Sequence, residues 1–301
     1  MNIIKKNIEC QSKKDIFKIY PIGDVHLGAF NCAETHFRQY VDHIKKTPNA
    51  YWFGGGDYCD CIVPQDTRRY DVRSLADWLF VGDARTIKES LLDITKQQRK
   101  RFCKIVEPIK DKCLGLIEGN HEYSIMQRAN NGHHYLMCDE LGVPNLTDTA
   151  FIWLNFKIKG GQGKSIHIFA AHGNGGGRSA GAEPNHLAKL GQSFDADILL
   201  RGHSHTFRIE PSEPHLYIPR RGAVPDECYQ REVHKGNWGC WVKSYAVGPP
   251  TYDSRANYPP RPLKAIEVTI KPNHTFNTSV CGKRTAQAKS LISMSECNYE
   301  M

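Results

Sequence analysis

Five apolar runs in this chain each end on a glycine, and beside each glycine stands an aspartate, a histidine or an asparagine. The endings are "GDVH" (23–26), "GGGD" (54–57), "GNHE" (119–122), "AHGNGGGR" (171–178) and "GHSH" (202–205). Short apolar runs closed by glycine suit buried strands. Strands are expected at 16–23, 50–56, 113–119, 151–158, 165–173 and 196–202. Helical patterns lie between them. Phe37, Tyr40, Val41 and Ile44 share one stripe of 33–46. A longer stripe from Ile87 to Ile109 predicts a helix over 84–109 that Pro108 kinks or ends. A third helix is expected at 183–194, with Pro184 in its first turn. Alternating strands and helices predict an α/β fold with partly parallel sheets. In such sheets ligands bind beyond the carboxyl ends of the strands, which is where these polar residues stand.

The spacing carries chemistry too. Asp24 and His26 are two apart, as are His203 and His205. In extended backbone, residues two apart point to one side, so each pair is expected to present two groups together. Carboxylates, imidazoles and a carboxamide oxygen suit Mn, Fe, Zn or Ni. Asp57, with two carboxylate oxygens, is able to bridge two ions. Two divalent cations against the two carboxylates Asp24 and Asp57 leave a charge near +2, which attracts a phosphate.

The ordered set Asp-x-His, Gly-Asp, Gly-Asn-His, His-Gly and Gly-His-x-His, spanning about residues 20–206, resembles the calcineurin-like metallophosphoesterase superfamily. The resemblance implies a four-layer sandwich, two mixed β-sheets flanked by helices, with a binuclear metal centre. It implies Asp24, His26 and His205 on one metal and Asn120, His172 and His203 on the other, with Asp57 bridging. Manganese is the first expectation for both ions, with Fe, Zn or Ni as alternatives. It implies that His121 is catalytic, close to the leaving oxygen, and that a metal-bound hydroxide attacks phosphorus. In the Ser/Thr phosphatase branch a second aspartate pairs with that histidine, and Asp60 stands in its place. That branch has a phosphate-binding arginine where this chain has Cys61, a departure that argues against a protein phosphatase. Glu122 is expected either to orient a metal-site histidine or to be a surface or capping carboxylate. Arg178, in "GNGGGRSAG", is a candidate anion clamp for substrate, and His133 and His134 are candidates for the cleft wall.

The rest of the chain bounds the reading. Its 301 residues are expected to form one domain over 1–280. The motif-bearing part is 16–206, followed by a β-rich completion at 207–280 with strands at 240–247 and 263–270. Residues 281–301 are expected as a polar C-terminal tail. Lysines interrupt the first twenty residues, and no apolar run is long enough to span a bilayer, so no membrane partner is expected. The eleven cysteines, without zinc-ribbon spacing, are expected to be reduced thiols of a cytoplasmic protein. The formal charge of +8 favours an acidic partner such as DNA or RNA. "DVHLG" is similar to the first motif of the DNA-repair exonuclease branch. The expected activity is therefore that of a phosphodiesterase or nuclease, with a phosphomonoesterase as the alternative. A non-catalytic scaffold is disfavoured, because all seven ligand-type residues and His121 are present.

Overall fold

The computed structural model describes residues 1–159, 163–175, 179, 181–218, 229–280 and 283–299. In chain order the elements begin with β1 (Asn2–Cys10), β2 (Phe17–Gly23), α1 (Glu34–Lys46), β3 (Ala50–Gly56), α2 (Ala84–Leu92) and α3 (Ile94–Val106). Next come β4 (Cys113–Leu116), α4 (Asn120–Ala129), α5 (His133–Leu141), β5 (Thr149–Ile158), β6 (Lys164–Ala171), α6 (Ala182–Ser193) and β7 (Ile198–Arg201). The chain finishes with β8 (Phe207–Ile209), β9 (Glu213–Tyr217), β10 (Tyr229–Trp238), α7 (Tyr252–Ala256), β11 (Ile266–Val280) and β12 (Lys283–Glu296).

The strands make two mixed sheets. One runs β1-β5-β6-β7-β10-β8, with β9 also paired to β10; the other runs β12-β11-β2-β3-β4. Within them β2, β3 and β4 are parallel, as are β6 and β7, so each set delivers its carboxyl ends to one side. Side chains alternate across each strand. Phe17 and Ile19 enter the core between the sheets with Ile152, Ile168 and Ile198. Tyr20 and Ile22 face the other way, against Phe37 of α1, Phe102 of α3 and Met137 of α5. Phe169 and Leu199 form a third core on the far face of the first sheet, packed by Leu190 and Phe194 at α6. The result is four layers: helices, sheet, sheet, helix. Because β2, β3, β6 and β7 are buried on both faces, they appear as continuous apolar runs, which made them legible in the sequence.

Three expectations are corrected. The helix expected over 84–109 is two helices, because the Asp93 carboxylate accepts from Lys96 N and starts α3 afresh. No strand forms at 240–247. The backbone there bonds to the site instead: Trp241 N donates to the Asp24 carbonyl at 3.0 Å, and Trp241 O accepts from Ala33 N at 2.7 Å. Residues 283–296 are not a loose tail but edge strand β12, antiparallel to β11 from Ile266↔Glu296 to Val280↔Lys283. Its Ile292 and Met294 pack on the inter-sheet core while Ser293 and Ser295 are exposed, the alternation of an edge strand solvated on one face. β1 is likewise an edge strand, parallel to β5. Among the described residues no helix is long and apolar enough to cross a membrane.

Candidate metal centre

The polar residues after β2, β3, β6 and β7 and at the start of α4 converge, but not by the extended geometry expected for the pairs. Asp24, His26, Asp57, His203 and His205 all have positive φ, between 48° and 68°. The left-handed region costs an L-residue roughly 1–2 kcal/mol, and Asp and His are among the side chains found there more often than most. Five such residues around one cleft is the concentration of backbone strain found at functional sites. These turns aim their own side chains at one cleft, while Val25, Leu27 and Tyr58 beside them pack into the core.

Two groups result, joined by one carboxylate. Asp24, His26 and His205 form the first: His26 Nε2 lies 3.0 Å from His205 Nε2, which is 3.6 Å from Asp24 Oδ1. Asp57, His172 and His203 form the second, with Asn120. Asn120 Oδ1 is met by His172 Nε2 at 2.9 Å and His203 Nδ1 at 2.6 Å. Asp57 Oδ2 stands between the groups, 3.7 Å from His26 Nε2 and 3.3 Å from His172 Nε2. All seven residues singled out in the sequence are thus in one cluster.

The scaffold beneath it was not legible. Trp238, at the end of β10, donates its indole N–H to Asp24 Oδ2 at 2.8 Å. Its ring lies across the ends of β2, β3 and β7. A Cβ on Gly23, Gly55 or Gly202 would fall less than 3.0 Å from indole atoms, so these strand ends must be glycine for the ring to fit. Asp24 also accepts from His203 N at 3.1 Å, which ties the two sheets together. Glu122, fully buried, accepts from the backbone N–H groups of Asp57, Tyr58, Cys59 and Gly119. It therefore caps α4 and fixes the Asp57 turn at once, holding backbone N–H groups rather than a histidine of the site. Burial and the nearby Asp57 charge push its pKa up to about 7.

His121 stands beside the cluster. Its ring meets that of His26 edge to face at 4.5 Å, and its backbone N–H donates to Asp57 Oδ1 at 2.9 Å. The expected partnership with Asp60 is corrected. His121 Nδ1 is held by the backbone carbonyl of Asp60, whereas the Asp60 carboxylate faces His26, with Oδ1 3.7 Å from Nδ1. Arg178 lies outside the described residues. His133 and His134 do not line the cleft: both are buried in α5, and His134 Nε2 bonds with Asn145 Oδ1. Along 96–101 Arg99 pairs with Glu140 and Arg101 with Glu34, while Lys96 and Lys100 are exposed. A separate group, His43, Glu267 and Cys297, lies elsewhere, but there Glu267 is already met by Lys18 and by the Tyr20 hydroxyl.

The electrostatics suit cations. Burial opposes charge throughout, yet Asp57 and Asp60 raise His26 to about 9, and Asp57 with Asp24 raises His172 to about 10. Burial and the facing His172 and His26 charges push His203 down to about 4 and His205 well below the usual range. Desolvation lifts Asp24 to about 6, while the surrounding imidazoles overcome burial and hold Asp57 well below an ordinary carboxylate. The Gly55 carbonyl, 2.7 Å from His172 Nδ1, fixes a proton there, so loss of the second proton frees the Nε2 lone pair toward Asp57 and Asn120. Convergent imidazole nitrogens, two carboxylates and a carboxamide oxygen fit a pair of divalent transition-metal ions.

The profile of the family described as calcineurin-like phosphoesterase matches residues 17–207. Comparison with curated proteins finds no match. Among solved structures, a Vps29 double mutant from Entamoeba histolytica aligns at 13% identity and a TM-score of 0.37, covering 94% of this chain and 100% of that one. A metallophosphoesterase from Sphaerobacter thermophilus aligns at 11% and 0.36, covering 94% and 90%. The NAD nucleotidase of Haemophilus influenzae aligns at 11% and 0.35, covering 93% of this chain and 50% of its own.

Proposed function

The chain belongs to the calcineurin-like phosphoesterase family and is a metal-dependent phosphoester hydrolase; from that membership we propose that it cleaves phosphodiesters of nucleotides or nucleic acid, with manganese as its metal. The observation that carries the metal assignment is Asp57, whose one carboxylate oxygen faces an imidazole of each group. Asp24, His26 and His205 would hold one ion, Asn120, His172 and His203 the other, and Asp57 both. Bound there, divalent ions supply positive charge for the phosphoryl oxygens and lower the pKa of water.

The residues of the chain do the rest. Trp238 and His203 N–H fix the Asp24 carboxylate, and Glu122 fixes the turn that aims Asp57. His121, anchored through Nδ1, leaves Nε2 as the atom that takes a proton and gives it to the departing oxygen. Burial lowers its pKa, so the ring is neutral at rest and must be protonated to act as the acid. The preference for diesters is supported by the charge of +8 and by buried Cys61 in the place of a phosphate-binding arginine. A diester carries one negative charge where a monoester carries nearly two, and needs fewer fixed cations.

A panel tests this: p-nitrophenyl phosphate, bis-p-nitrophenyl phosphate, and single- and double-stranded DNA, each with protein reconstituted in Mn²⁺. Diesters are expected to be cleaved with higher kcat/KM. Efficient monoester hydrolysis without cleavage of any diester would establish the phosphomonoesterase instead.

A further inference from the structure

Beside the metal centre, residues 244–261 form a strap held by its own hydrogen bonds. Arg261 N donates to Ser244 Oγ at 3.1 Å, Tyr245 Oη to the Tyr258 carbonyl at 2.6 Å, and Tyr258 N to the Asp253 carbonyl at 3.0 Å. Thr251 caps α7 and bonds back to the Ser244 carbonyl. We propose that this strap is a nucleotide subsite in which the Arg261 guanidinium takes a phosphate and the Tyr252 ring stacks on the base. The proposal rests on the phosphodiester reading above and narrows it to substrates that carry a nucleoside next to the scissile phosphate.

The placement of Arg261 comes first. Its Nη1 donates to the carbonyl of Ser204, the residue between His203 and His205. The guanidinium is therefore fixed at the rim of the cluster, with its side chain 20% exposed. Arg201 on neighbouring β7 offers no equivalent, because it is buried and engaged by Glu183 and His186. A guanidinium has five N–H donors in a planar fork that matches phosphate oxygens, and Ser204 uses only one of them. Asp253 Oδ1, 3.9 Å from Nη2, orients the fork without a hydrogen bond.

Aromatic rings continue outward from that charge. The Tyr258 ring lies 5.5 Å from the guanidinium, and the Tyr252 ring 5.8 Å from Tyr258. Tyr258 is half-buried and steadies the arginine; Tyr252 is 74% exposed. A fixed cation followed by an exposed ring is the pairing that takes a nucleotide's phosphate and base together, and base stacking on tyrosine tolerates any base. A bare phosphoryl group would have no use for the rings.

Two diesters with one leaving group separate the contributions: thymidine 5′-(p-nitrophenyl phosphate) and ethyl p-nitrophenyl phosphate, hydrolysed by Mn²⁺-loaded protein. The native chain should favour the thymidine ester, chiefly through KM. Tyr252→Ala should reduce that preference about tenfold, while Tyr135→Ala, removing an exposed tyrosine of α5, should keep it. Arg261→Ala should lower kcat/KM for both esters by roughly 10²-fold and Arg261→Lys by less, as for loss of a bidentate charge contact. Calorimetric titration with thymidine 5′-monophosphate reads binding without turnover, and Tyr252→Ala should weaken it about tenfold. If both esters are hydrolysed but the native chain lacks the preference, or Tyr252→Ala keeps it, the subsite is wrong and the phosphodiesterase reading stands. If neither is hydrolysed while the monophosphate binds in a Tyr252-dependent way, the activity reading falls and the subsite stands. Neither hydrolysis nor binding overturns both.

Discussion

Asn120 and His121 are neighbours in the chain whose side chains part company: the Asn120 oxygen sits between His172 and His203, whereas the His121 ring is pinned on the Asp60 carbonyl. His121 nevertheless lies within metal-ligand range of His26 and Asp57, so metal content and turnover must be read together. Asn120→Ala removes a donor, and metal content and activity should fall together. His121→Asn should keep close to two Mn²⁺ per chain by elemental analysis while kcat falls on the order of 10²-fold, less for substrates with good leaving groups. If His121→Asn loses metal as readily as Asn120→Ala, the histidine is a ligand. Asp60→Asn should weaken metal binding through His26 rather than copy the His121 pattern, because its carboxylate faces His26. The ordered motifs, through the family they resemble, made the seven ligand candidates and His121 legible. Which atom of Asp60 meets His121 was not, since a sequence does not distinguish a carboxylate contact from a carbonyl one.

At the scale of elements, Gly23, Gly55 and Gly202 in the motifs owe their place to a strand far along the chain. β10, "YQREVHKGNW", has no clean apolar alternation, so neither the strand nor Trp238 at its end stood out in the sequence. Helix α4 is not legible either, because "GNHE" closes an apolar run like a strand end, whereas Gly119 is the N-cap and Asn120 opens the helix. The indole serves two purposes that substitution can separate. Gly202→Ala forces a methyl into the ring and should cost about 1–3 kcal/mol, an overpacking penalty visible as a melting point lowered by a few degrees. Trp238→Phe keeps most of the ring but removes the N–H to Asp24. Its Mn²⁺ affinity should drop about 10–100-fold, the usual effect of losing a group that holds a ligand, with a smaller change in melting point. Equal loss of stability with unchanged metal affinity in both variants would reduce the indole to a packing residue.

At the scale of the molecule, the candidate ligands divide by sheet. Asp24, His26 and Asp57 follow strands of one sheet and Asn120 follows β4 of the same sheet; His172, His203 and His205 follow strands of the other. Each of the two ligand groups therefore contains residues from both sheets, so ions bound there would clamp the sandwich across its carboxyl end. A ligand that binds only the folded chain stabilises it by RT ln(1 + [L]/Kd), about 2.7 kcal/mol at a hundredfold excess over Kd. Chelation should accordingly lower the melting temperature and Mn²⁺ should restore it. The pH dependence follows from the two raised imidazoles. His26 at about 9 and His172 at about 10 hold protons at neutral pH, and a nitrogen must lose its proton before it binds metal. Raising the pH toward 9 eases that competition, so apparent Mn²⁺ affinity should rise, by at most tenfold per pH unit for each proton released. Below pH 7 both rings are fully protonated and Asp24, at about 6, begins to take up a proton as well, so binding should fall off more steeply. Melting curves of stripped and Mn²⁺-loaded protein at pH 6, 7 and 8.5 should show a gap that widens in that order. A gap of constant size across the series would mean that the ions bind away from His26 and His172, and the clamp between the sheets would have to be sought elsewhere.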